Sequence, residues 1–71
     1  MNATDLINDA FACNLTIAES MNGIVVVYGA AVDILRWHLV CGLVAVNGAL
    51  VDANGSQLGM INGDHAAIVA A

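Results

Sequence analysis

The chain has 71 residues, 61% of them hydrophobic and only 10% charged, with a net charge of −5 and no lysine. A domain of about 60 residues buries only roughly 60% of the surface its unfolded chain exposes, so a single small core cannot absorb this much apolar side chain, and the surplus must meet neighbouring subunits or lipid. Six acids against the single cation Arg36 exclude ordinary nucleic-acid binding, which needs several Lys and Arg to neutralise phosphates.

Residues 4–21 read as an amphipathic helix. Asp5, Asn8, Asp9, Thr16 and Glu19 form a polar stripe, with Leu6, Ile7, Ala10, Phe11, Leu15, Ala18 and Met21 opposite. Asn2 or Thr4 can serve as N-cap, Asp5 suits the positive end of the dipole, and Asn22-Gly23 supplies a left-handed stop. The acidic stripe reads as the solvated outer face of an assembly. The first twenty residues hold three acids, no base and no unbroken apolar run, so no secretory leader is read there.

Over residues 24–46 the only acid or base side chains of note are Asp33, Arg36 and His38, and the stretch is long enough for a membrane-spanning helix. A helix buried in a protein assembly explains it equally well. Asp33 and Arg36 stand at i,i+3 and can neutralise one another. Arg36, Trp37 and His38 interrupt the apolar centre. One reading makes them a contact to DNA or a lipid headgroup; the other makes an Asp33–Arg36 ion pair buried between subunits with Trp37 as packing. His38 and Cys41 are too few ligands for a structural metal site.

Cys13 and Cys41 have no CxxC spacing. They are either two buried thiols or a disulfide, which would imply an oxidising compartment or a hyperthermophilic host. Asn2, Asn14 and Asn54 open Asn-x-Ser/Thr sequons and are candidate glycosylation positions.

From Asn47 onward two readings compete. Asn-Gly recurs at 47, 54 and 62, which suits a β-meander. Gly55, Gly59 and Gly63 fall at spacing four, which on a helix makes a smooth face for close packing, and the ending His65–Ala71 is Ala-rich. The helical reading is preferred. Asp64-His65 beside Cys13 or Ser56 is not a catalytic pattern, because no nucleophile turn accompanies it.

An acidic amphipathic start, an apolar centre and a near absence of cations resemble the small, hydrophobic helical-hairpin major virion proteins of bacilliform archaeal viruses. Filamentous phage coats cluster basic residues at the C-terminus, and His65–Ala71 carries no Lys or Arg. A second resemblance is to the pilins of conjugative type IV secretion, two apolar helices about a short basic turn; the run from Gly23 through Arg36 to Gly48 has that order.

The expectation is therefore one domain, residues 1–71, of all-α class: a helical hairpin with an amphipathic N-terminal helix, polymerising with helical symmetry, with an α+β fold carrying a C-terminal β-meander as the alternative. The expected function is structural, the major coat protein of a rod-shaped or filamentous virion, with a conjugation pilin and a two-helix membrane pore as alternatives. Its partners are many copies of itself, with non-specific DNA in the lumen neutralised by other cations, or lipid in a pilus. It is placed in a virion, an extracellular filament or a membrane. No catalytic, cofactor or metal role is expected.

Overall fold

The computed structural model describes residues 2–70. Two helices and six strands follow one another as α1 (Ala3–Ala12), β1 (Thr16–Met21), β2 (Ile24–Tyr28), α2 (Ala31–Val40), β3 (Val44–Val46), β4 (Ala49–Val51), β5 (Gln57–Asn62) and β6 (His65–Val69). All strands join one antiparallel sheet in the order β1-β2-β6-β5-β4-β3. The fold is α+β, with 41% of the described residues in strands against 29% in helices. The all-α expectation is overturned, and the meander alternative describes the C-terminal half.

Helix α1 begins where expected, with the Asn2 side chain accepting from the Asp5 amide at 2.9 Å, but it stops at Ala12 instead of running to residue 21. Asn14 takes a left-handed φ of 62°. Its amide donates to the Phe11 carbonyl at 3.1 Å, and the Leu15 amide donates to the Ala10 carbonyl at 2.9 Å, a paired closure that satisfies the last free carbonyls of the helix. The chain then leaves as a strand, in keeping with β-branched Thr16 and Ile17.

Helix α2 ends in the same way. Gly42 has φ 79°, its amide donates to Leu39 O at 3.0 Å, and the Leu43 amide donates to His38 O at 2.9 Å. Leu15 and Leu43, the residues just past each stop, are both buried. The start of α2 has no side-chain cap. A missing cap costs about 1 kcal/mol, which burial of Ile34 alone, at roughly 1.5–3 kcal/mol, more than offsets.

The stretch 24–46 is therefore not one long helix. It comprises β2, α2 and β3, and no helix among the described residues is long and apolar enough to cross a membrane. The likeness to helical-hairpin coat proteins fails on this point, and so does the two-helix arrangement of a pilin: the apolar centre is divided between two strands of the sheet and one ten-residue helix.

Helix, left-handed stop, strand, Asn-Gly and strand occur in that order twice, in α1-β1-β2 and in α2-β3-β4. Asn22 and Gly23 have φ of 55° and 76°, and Asn47 and Gly48 have 50° and 83°, the two positive values that a type I′ hairpin requires. The two units occupy opposite ends of the sheet, and the β5-β6 hairpin fills the middle.

The strands alternate. Val25 and Val27 of β2, Ala66 and Ile68 of β6, and Leu50 of β4 point to one side and are buried with Leu6 and Ala10 of α1 and Ile34 and Trp37 of α2. Both helices thus lie on the same face. Trp37, fully buried, donates its indole Nε1–H to the Leu6 carbonyl at 3.0 Å and so ties α2 to α1. His38, also buried, hydrogen-bonds through Nδ1 to the Leu43 carbonyl at 3.0 Å, with the ring nitrogen as donor.

The glycine stripe expected on a helix is dispersed. Gly55 and Gly63 take φ of 82° and 62° in the turns on either side of β5, and Gly59 lies within β5, where it pairs with Ile68 and Leu50 on the buried face. A Cβ built on Gly59 would overlap the Ala67 carbonyl oxygen and press on Ile68 and Leu50. Because backbone is what it meets, relief requires the strands to move apart. Gly59→Ala should lower unfolding stability by about 1–3 kcal/mol or more, read as a fall in the urea midpoint. An unchanged midpoint would show that β5 and β6 are not this close.

Candidate functional site

The alternation that buries one face of the sheet presents the other to solvent. One row of paired residues crosses all six strands on that side: Glu19, Val26, Ala67, Met60, Ala49 and Val46. Glu19 at the β1 edge is its one charged member, and the positions from β2 to β3 are all apolar. Met60 near the centre is 63% exposed and Val46 is 52% exposed. A neighbouring row continues the surface through Met21, Ile24 and Val69, all exposed. Among the described residues nothing packs on this side.

A polar row closes one end of the face, running through Thr16, Tyr28, His65 and Asn62. The Tyr28 and His65 rings lie 5.7 Å apart between centroids, and His65 Nδ1 is 2.6 Å from Asp64 Oδ1. Ser56 lies before β5, at the other end of the strand from His65's partner Asn62, and Cys13 is buried under the opposite face. The residues weighed as a nucleophile and base are thus not brought together.

The apolar excess does not come from loose folding. The accessible surface is 4042 Å², against about 4,100 Å² expected for a monomer of this mass. The chain is packed normally and still leaves whole rows of apolar side chains outside.

Arg36, Trp37 and His38 do not form one surface. Trp37 and His38 turn inward, while Arg36 keeps 57% of its side chain exposed and sits 3.5 Å from Asp33 Oδ1. Cys13 and Cys41 occupy the C-caps of α1 and α2 as free thiols, the first buried and the second half-buried. Asn2, Asn14 and Asn54 are exposed, at the N-cap of α1, at its left-handed stop and in the β4–β5 turn. In that turn Asp52 Oδ1 accepts from the Asn54 and Ser56 amides, each at 2.9 Å. Among the described residues no group of three or more His, Cys, Asp or Glu is placed to hold a metal ion, and no pocket opens.

The open face is built from segments expected to be helical, residues 16–21, 24–28, 44–46 and the chain from Asn47 onward. The Asn-Gly signals at 47 and 62 are the sequence features that point to strands there; over Ile24–Tyr28 the alternation exists only in burial, since all five residues are apolar or aromatic. Compared with known proteins, the chain matches no family model, no curated protein and no solved structure.

Burial, followed by the nearby Asp9 and Cys13, pushes the Cys41 thiol up from 9.0 to about 11. Folding therefore favours the protonated thiol, and this contribution is complete below pH 9 and is lost as pH rises from about 9 through about 11. Since only the thiolate alkylates, Cys41 should react with iodoacetamide at pH 8 about 100-fold more slowly in the folded chain than in urea, read by mass spectrometry. Equal rates would contradict this environment.

Proposed function

We propose that the chain is a structural subunit that works as an assembly of its own copies, joined through the open face of the sheet. The observation that carries this reading is the apolar row from Val26 through Met60 to Val46, uncovered across the β2-to-β3 part of the sheet. Sheets with such faces pack on one another with side chains interdigitated and strands within about 30° of each other. A second copy offers the same face, and a two-fold contact needs only that the patch be complementary to itself.

Charge favours a copy over other occupants. At −5 the chain is repelled by anionic lipid surfaces, and two copies can approach closely only where they present no like charge. The strands from β2 to β3 offer such a surface, with Glu19 at the rim and Asp52 and Asp64 in the turns. Arg36, the single Lys or Arg, is already beside Asp33, so phosphate neutralisation adds nothing to this reading.

The two longer extents of the molecule, 27 × 23 Å, bound a whole broad side of about 600 Å², near the lower end of what each partner contributes to a standard stable interface, and the apolar rows occupy part of it. The expected contact is a modest, specific one that gains from being repeated.

Met60→Lys places one unpaired charge per copy at the centre of this contact, where desolvation costs several kcal/mol. Because Met60 faces away from the core, the circular dichroism spectrum should not change, while the mass by light scattering at micromolar concentration should fall. A wild-type chain that already runs as a monomer there, or a variant that keeps the full assembled mass, would end the proposal.

A further inference from the structure

The helix layer carries a second apolar surface on the side of the molecule opposite the open sheet face. On α2 the inward side is Ile34, Trp37 and His38, all buried. The outward side is Val32, Leu35, Arg36, Leu39 and Val40, all exposed. These positions recur at steps of three and one, the spacing of a stripe that one helix presents to another. Exposed Phe11 of the neighbouring α1 adds to the apolar surface of this layer.

The chain's single Lys or Arg stands in the middle of this stripe. Arg36 is 57% exposed and lies 3.5 Å from Asp33, whose side chain is 16% exposed. An exposed pair at this spacing adds little to one folded chain, which leaves the placement of the only cation among four outward apolar residues unexplained by the monomer.

We infer that α2 pairs antiparallel with α2 of a second copy, about a two-fold axis passing between Asp33 and Arg36. In that arrangement each Arg36 meets the Asp33 of the other copy as well as its own, and the two acids and two bases form a closed, neutral cluster. The same symmetry brings Val32 and Leu35 of the two helices together. Charge complementarity sets the register, since sliding the axis to Arg36 would oppose two cations and sliding it to Asp33 would oppose two acids.

This inference rests on the sheet-face reading for its consequence. Two different two-fold contacts on opposite sides of one subunit do not stop at a dimer; they alternate along a series of copies, which closes into a ring or continues as a filament according to the angle between the axes. A sheet contact alone would give a dimer, and a helix contact added to it gives extended assembly. A ten-residue helix presents less surface than the sheet, so the helix contact is the weaker of the two.

Separate variants distinguish the two contacts. In the otherwise unchanged chain, Arg36→Asp gathers four carboxylates at the helix contact and should reduce the assembly to the sheet-face dimer, with the helix–helix association weakened about 100-fold or more. The double exchange Asp33→Arg with Arg36→Asp restores the alternation of charge and should restore the higher mass. Leu35→Lys leaves both charged residues in place, sets two like cations beside each other at the axis of the helix contact, and should also give the dimer. Sedimentation velocity reads all three, with circular dichroism verifying the fold. If Arg36→Asp and Leu35→Lys keep the wild-type mass, the helix contact is wrong while the sheet reading stands. If the double exchange stays at the dimer while folded, the Arg36–Asp33 register is wrong. A fall to monomer in Arg36→Asp would place the sole interface at the helix and overturn the two-contact arrangement.

Discussion

Among the described residues, two helices of ten residues each cover a sheet of six strands, and both lie on the same side. Every other feature of the molecule follows from that one-sided cover. The covered face holds the core, with Val25, Val27, Leu50 and Ile68 at zero exposure beneath Leu6, Ile34 and Trp37. The uncovered face has the composition of a core and the exposure of a surface. An antiparallel sheet with one wet side ordinarily shows polar residues there; Val26, Ala67, Met60, Ala49 and Val46 do not.

The helix layer is held by a few specific contacts. The bond from the Trp37 indole to the Leu6 carbonyl joins the two helices across a separation of 31 residues. Matching left-handed stops at Asn14 and Gly42 turn each helix directly into an edge strand, and Leu15 and Leu43 are buried at the bend. The Gly59 backbone lets β5 approach β6 closely in the middle of the sheet. These devices hold a helix layer on a sheet, with exposed apolar residues on both broad sides. The acids stand mostly at turns, at one sheet edge and on α1. Self-association through the broad sides, and repulsion at the rims, would then be two consequences of one charge distribution.

The site was only partly legible beforehand. Excess apolar side chain pointed to assembly, and Asn47-Gly48 carried the hairpin signal of the less favoured meander alternative. Arg36, Trp37 and His38 are consecutive in sequence, but a helix divides consecutive residues among its faces, leaving Arg36 outside and the other two within. The repeated order of Cys, a left-handed residue, Leu and then Asn-Gly, at 13–23 and again at 41–48, was the signal for two αββ units. It was obscured because Leu15, Ala18 and Met21 also fit the period of a helix.

Composition by itself determined that the chain has little charge and much apolar side chain, while the Asn-Gly pairs at 47, 54 and 62 offered a meander without deciding it against a helix. Only the tertiary structure decided between helix and strand over residues 16–28 and 44–69, and which side of each strand is buried. In segments made almost wholly of Val, Ile, Leu, Ala and Met, too few polar residues mark either a period of two or one of 3.6. The deciding contacts are distant in sequence, above all β2 against β6, which brings residues 24–28 beside 65–69 and is what makes the uncovered rows continuous. The apolar excess is a property of the chain, but its gathering into two opposite faces is a property of the fold.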